Sequence, residues 1–105
     1  MTILPELRNT QSLYVAPANP AGSQLLKSLS DLGYNVVGLV DNLKSGIDIK
    51  KPSDLTKETK IVVAKGDFQT AVAEQLIKNG IKASNIYTET IEHQVIRYKR
   101  IKTNK

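Results

Sequence analysis

The sequence predicts an α/β domain in which a four-stranded parallel sheet, in the order 2-1-3-4, lies between helices as a three-layer sandwich. Two observations lead there. Short apolar runs rich in strand-forming residues recur along the chain, and between them lie stretches whose leucines and valines repeat at helical spacing. The helical stretches end in Gly33 and Gly80, and a strand–helix–strand order with helices of about three turns favours parallel pairing through right-handed crossovers.

The first element expected is a short helix over residues 3–9, with Pro5 in its first turn. Leu13-Tyr14-Val15-Ala16, bounded by Pro17, reads as a buried strand. A helix follows in which Leu25, Leu26, Leu29 and Leu32 share one face and Gln24, Lys27, Ser28 and Asp31 take the other. Residues 35–40 (NVVGLV) form the second strand, apolar enough to be covered on both faces. Residues 47–49 alternate like a short extended piece, and Pro52-Ser53-Asp54-Leu55 resembles one helical turn. Lys60–Ala64 is the third strand. Asp67 then caps a helix whose Phe68, Val72, Leu76 and Ile77 face the core. Asn85-Ile86-Tyr87 is a short fourth strand, and residues 90–101 fit a helix or an extended arm equally well.

At 105 residues, with 40% hydrophobic and 24% charged residues, the chain has the size and composition of one soluble domain. Three segments are expected: a lead-in over 1–11, the domain itself over 12–88, and a C-terminal extension over 89–105. The net charge of +5 belongs to residues 97–105 of that extension, which hold no acid. Five of the fifteen basic residues are Arg97, Lys99, Arg100, Lys102 and Lys105, which leaves ten to balance the ten acids. A basic end of this kind is read as a solvated tail. With five aromatic residues in all there is no base-stacking platform, so nucleic acid is not an expected partner.

The absence of cysteine excludes disulfides, thiolate metal sites and cysteine nucleophiles. Met1–Thr10 holds no apolar core of signal-peptide length, and no apolar run reaches the roughly 18–20 residues of a membrane span. The expected compartment is therefore the cytoplasm.

From Leu13 to Tyr87 the chain resembles the small Rossmann-like domains of bacterial sugar-modifying proteins. The resemblance rests on Tyr14–Ala18 through Gly22, on Gly33–Asn42, on Pro52-Ser53-Asp54-Leu55, and on Gly80-Ile81 followed by Asn85-Ile86-Tyr87. Two groups share these stretches: the N-terminal domain of nucleotide-sugar acyltransferases of surface-polysaccharide synthesis, and the C-terminal domain of sugar C-methyltransferases. The resemblance implies a Rossmann-like fold and a nucleotide or nucleotide-sugar ligand. It also implies a regulatory or accessory role in polysaccharide sugar metabolism, as a homodimer or beside a separate catalytic protein. Neither group's catalytic half is present in these residues.

A dinucleotide loop wants three glycines, for the turn, the pyrophosphate approach and helix packing. Here the three positions are Pro17, Asn19 and Gly22, so only the packing glycine remains. Asn19-Pro20 is a strong helix start whose side chain competes with a phosphate for backbone N–H groups, which disfavours the usual pyrophosphate pose. The candidate binding residues are Pro17, Ala18, Asn19, Gly22 and Ser23 at the loop, Asp41 and Asn42 after the second strand, and Lys65 after the third. Asp41 would meet ribose hydroxyls, or with Asn42 simply make a turn. Lys65 would meet a phosphate, or stand solvated beside the helix start.

No nucleophile–base pair or metal set emerges. His93 is a lone histidine. Tyr98 and Lys102 have the Tyr-x-x-x-Lys spacing of some short-chain oxidoreductases, but on a chain far too short for that fold. The function expected is thus non-catalytic binding of a nucleotide or nucleotide sugar. The alternative is a protein-interaction or accessory subunit whose degenerate site holds no small molecule.

Overall fold

The computed structural model describes residues 13–41, 43, 46–56, 58–92 and 95–100, with side chains described as far as residue 90. The helix expected over 3–9, and the residues Asn42, His93 and Lys102, lie outside the described residues.

The elements are β1 (Leu13–Ala16), α1 (Pro20–Asp31), β2 (Val36–Val40), β3 (Ile49–Lys50), β4 (Lys60–Val63), α2 (Gln69–Lys78), β5 (Ile86–Glu92) and β6 (Val95–Arg100). Single 3-10 turns cover Pro52–Asp54 and Ala83–Asn85. The sheet has the order β3-β2-β1-β4-β5-β6. β1, β2, β3, β4 and β5 are parallel and β6 returns antiparallel to β5.

Six strands therefore replace the expected four, and the sheet is mixed. The four anticipated strands form its centre and one strand is added at each edge. β3 is two residues long and is held by Leu39 and Asp41, whose N–H groups donate to Asp48 O at 2.8 Å and Lys50 O at 2.9 Å. The extended piece expected at residues 47–49 overlaps it at Ile49, but two residues are too few to mark it as a sheet strand. β5 runs on to Glu92, past the boundary drawn at residue 88, and β6 pairs with it from Glu92↔Val95 to Tyr87↔Arg100. The extended alternative for residues 90–101 is the one adopted over 95–100. Lysine and arginine on an edge strand are a common guard against unwanted pairing, so a basic sequence does not argue against a strand there.

Alternation along the strands divides the core into two layers. Leu13, Val15, Val62 and Tyr87 face α1 through Leu25 and Leu29. Ala16, Ile61, Val63 and Ile86 face α2 through Ala73 and Leu76. One helix thus covers each face.

Asn19 caps α1 as the sequence predicts, its Oδ1 accepting the Gly22 N–H at 2.9 Å, with Pro20 in the first turn. The start of α2 departs from expectation. Its N-cap is Phe68 rather than Asp67, and no side chain caps it. Of the face drawn from sequence, Leu76 is buried and Val72 packs against the core, whereas Phe68 is 71% exposed and Ile77 38%, and Ala73 takes their place.

Gly22 is demanded by packing. A Cβ at this position would fall on the carbonyl oxygen of Pro17, which presses against the first turn of α1. Gly22→Ala is expected to cost about 1–3 kcal/mol by overpacking, while Ser23→Ala, one residue further on an exposed face, stays within about 0.5 kcal/mol. Urea denaturation of both variants checks this; equal stabilities would disprove the contact.

Candidate functional site

The carboxyl ends of parallel strands are where open α/β sheets place ligands. Two cavities open here, one on each side of the first turn of α1.

The larger, about 480 Å³, lies on the α2 face. Ala16 and Pro17 leave β1 into it, Val40, Asp41 and Leu43 come from the end of β2, and Pro52 closes one wall. Phe68, Ala71, Val72, Gln75 and Leu76 of the α2 segment form the other, and Asn19 stands at the rim. The lining is largely apolar, with Asp41 its only charged side chain among the described residues. Leu43 is 90% exposed and Phe68 71%, so two large apolar side chains stand at the mouth.

Asp41 is held firmly. Its Oδ2 accepts the Ala18 N–H at 3.0 Å and its Oδ1 accepts the Leu43 N–H at 2.8 Å. Together with the Asn19 cap on Gly22, this fills two backbone donors of the loop with the protein's own side chains. The loop predicted to meet a phosphate is thereby closed to it in the usual pose, and a carboxylate next to Ala18 repels an anion as well. Asn19 thus competes for these donors as its place before Pro20 suggests, and Asp41 is a second competitor.

The smaller cavity, about 180 Å³, lies on the α1 face and is lined by Ala21, Gln24, Leu25, Ser28, Lys65 and Glu89. Glu89 is 5% exposed. Its Oε1 accepts the Lys65 N–H at 3.0 Å, and its Oε2 lies 3.7 Å from Lys65 Nζ. Gln69 bridges the end of β4 and the middle of β5, its Nε2 donating to Val63 O at 3.2 Å and Glu89 O at 2.7 Å.

The predicted residues therefore separate. Pro17, Asn19 and Asp41 line the apolar cavity. Ala18 is buried and bonded to Asp41, and Gly22 is buried beneath Pro17. Lys65 belongs to the other cavity, and Ser23 is exposed and lines neither. Asn42 lies outside the described residues. Sequence reasoning passed over Leu43, Pro52, Phe68 and Val72, and over Gln24, Ser28 and Glu89. An acid standing one strand away from each strand–helix corner is a signal that could have found Glu89.

Among the described residues no group of three His, Asp or Glu side chains is placed to hold a metal, and no helix is long and apolar enough to cross a membrane. Compared with known protein families, curated proteins and solved structures, the chain finds no match in any of the three.

Asp41→Ala leaves two N–H groups without their acceptor, a loss of about 1–3 kcal/mol where such groups are buried. The expected outcome is faster amide hydrogen exchange at Ala18 and Leu43, with the exchange at Lys65 unchanged. Glu89→Ala is expected to do the reverse. Exchange rates that move together in both variants would contradict two independent corners.

Proposed function

We propose that this chain is a Rossmann-like, non-catalytic binding domain that takes a nucleotide or nucleotide sugar by its nucleoside end. On this reading it serves surface-polysaccharide sugar metabolism beside a separate catalytic protein. The reading is carried by one observation: Asp41 stands at the rim of an apolar cavity at the carboxyl edge of the parallel sheet.

A cavity of about 480 Å³ falls in the size range of ligand pockets, roughly 300–1,000 Å³. Val40, Pro52 and Val72 suit a flat apolar ring, and Phe68 offers a face for stacking at the mouth. Asp41, held by the Ala18 and Leu43 N–H groups, sets a carboxylate in the cavity wall, an acceptor of the type that ribose hydroxyls would meet. The phosphates then lie over the start of α1, near its positive dipole end, without backbone N–H bonds from Ala18 or Gly22. Affinity on this reading comes mainly from the nucleoside.

The exposed Leu43 and Phe68 favour a second reading, in which the same mouth seats an apolar side chain of a partner protein. The two readings separate in a thermal-shift and calorimetric screen of nucleosides, nucleotides and nucleotide sugars. A ligand at about ten times its Kd stabilises by about 1.4 kcal/mol, a rise in Tm of roughly 6 °C for a domain of this size. Ala71→Trp places an indole in the cavity from an exposed helix position and is expected to abolish the shift while the variant stays folded. Asp41→Ala is expected to remove the preference for ribose over deoxyribose. No shift with any nucleoside compound at millimolar concentration would leave the partner reading in its place.

A further inference from the structure

The smaller cavity has no part in nucleoside binding, yet it holds the one acidic side chain among residues 13–90 that is more than nine-tenths buried. The corner contact explains only half of Glu89. Oε1 accepts the Lys65 N–H, whereas Oε2 faces Lys65 Nζ across 3.7 Å, beyond hydrogen-bond length. A hydroxyl seated against that gap could accept from the ammonium and donate to the carboxylate, using capacity on both that their ion pair leaves over.

We propose that the cavity bounded by Gln24, Ser28, Lys65 and Glu89 is a subsite for the hydroxyls of a neutral hexose, the sugar end of a nucleotide sugar. The inference rests on the nucleoside reading of the larger cavity and deepens it. Three further features support it. Lys65 and Glu89 cancel in charge, so the cavity selects neither a phosphate nor an ammonium group. Gln24 and Ser28 stand one helical turn apart on α1 and add an amide and a hydroxyl to the wall, while Ala21 and Leu25 supply apolar surface for the C–H face of a ring. At about 180 Å³ the space falls below the roughly 300–1,000 Å³ of whole-ligand pockets and suits one small polar group.

Each cavity has wall residues at the start of α1. Pro17 and Asn19 wall the apolar cavity and Ala21 and Gln24 wall the polar one, so both are reached from the first turn of α1. A diphosphate crossing that turn would join a base on one side to a sugar on the other.

Calorimetric titration of the full chain with UDP, UDP-glucose, dTDP and dTDP-glucose tests this. Each sugar nucleotide is expected to bind about tenfold tighter than its parent diphosphate, the worth of one hydrogen bond to a charged group. Glu89→Gln and Gln24→Ala are expected to cut that advantage below about threefold and to leave UDP and dTDP affinity unchanged. A second arm titrates methyl α-glucoside into the 15N-labelled chain, where shifts are expected at the Gln24 side-chain amide and the Lys65 N–H. Equal binding of sugar nucleotide and parent diphosphate, or an advantage that survives both variants, overturns the subsite and leaves the nucleoside reading standing. Glucoside shifts with no binding of any nucleotide uphold the hydroxyl pocket and overturn the nucleoside reading. Silence in both arms overturns both.

Discussion

Where a parallel strand turns into a helix, the backbone leaves its ladder before the helix supplies new acceptors, and the N–H groups at the corner need partners from elsewhere. This chain meets that need twice with the same device. Ala18 lies two residues beyond the end of β1 and donates to Asp41, just past the neighbouring β2. Lys65 lies two residues beyond the end of β4 and donates to Glu89 on the neighbouring β5. The two pairs are 23 and 24 residues apart in sequence, so each strand–helix–strand unit closes its own corner with a carboxylate from its own second strand. Most of what the carboxyl edge can do follows from these two bonds.

The consequences differ because the surroundings differ. At the β1 corner the carboxylate meets an apolar cavity, and the remaining charge sits at the rim beside Val40 and Pro52. At the β4 corner it is buried between strand and helix, with one lysine, one amide and one hydroxyl around it. Gln69 draws β4 and β5 together at the same point, and this holds the Glu89 backbone while its side chain turns toward Lys65. A single structural solution thus yields an apolar recess under one face of the sheet and a polar one under the other.

The central fold was legible because it is written in local patterns. β1, β2 and β4 are compact apolar runs, α1 carries a complete cap in Asn19-Pro20, and Gly33 and Gly80 take positive φ where the helices end. What was not legible depends on distance along the chain. β3 exists only because β2 offers an edge, and its approach is close enough that a Cβ on Gly38 would lie 2.6 Å from Asp48 O. Glu89 stands between two threonines in a stretch that looks polar, and nothing local announces that its carboxylate reaches back 24 residues. Phe68 matches the apolar spacing of α2, yet it sits at the N-cap, where the helix has already turned away from the core. The loop at Pro17–Gly22 shows both cases at once. Its lost glycines and its asparagine cap are plain in the sequence, whereas the acid that occupies Ala18 comes from the far side of a whole strand.

Filling a phosphate loop with the protein's own side chains exchanges one property for another. Backbone donors left for a ligand contribute affinity when it arrives, but without it they depend on water or carry the cost of burial. Donors closed by Asn19 and Asp41 are satisfied in every state, so the corner is built whether or not anything is bound. Discrimination at such an edge cannot come from gripping a charge that all nucleotides share. It has to come from the groups that differ between one ligand and another, and those are the groups that a recess on either side of α1 is placed to read.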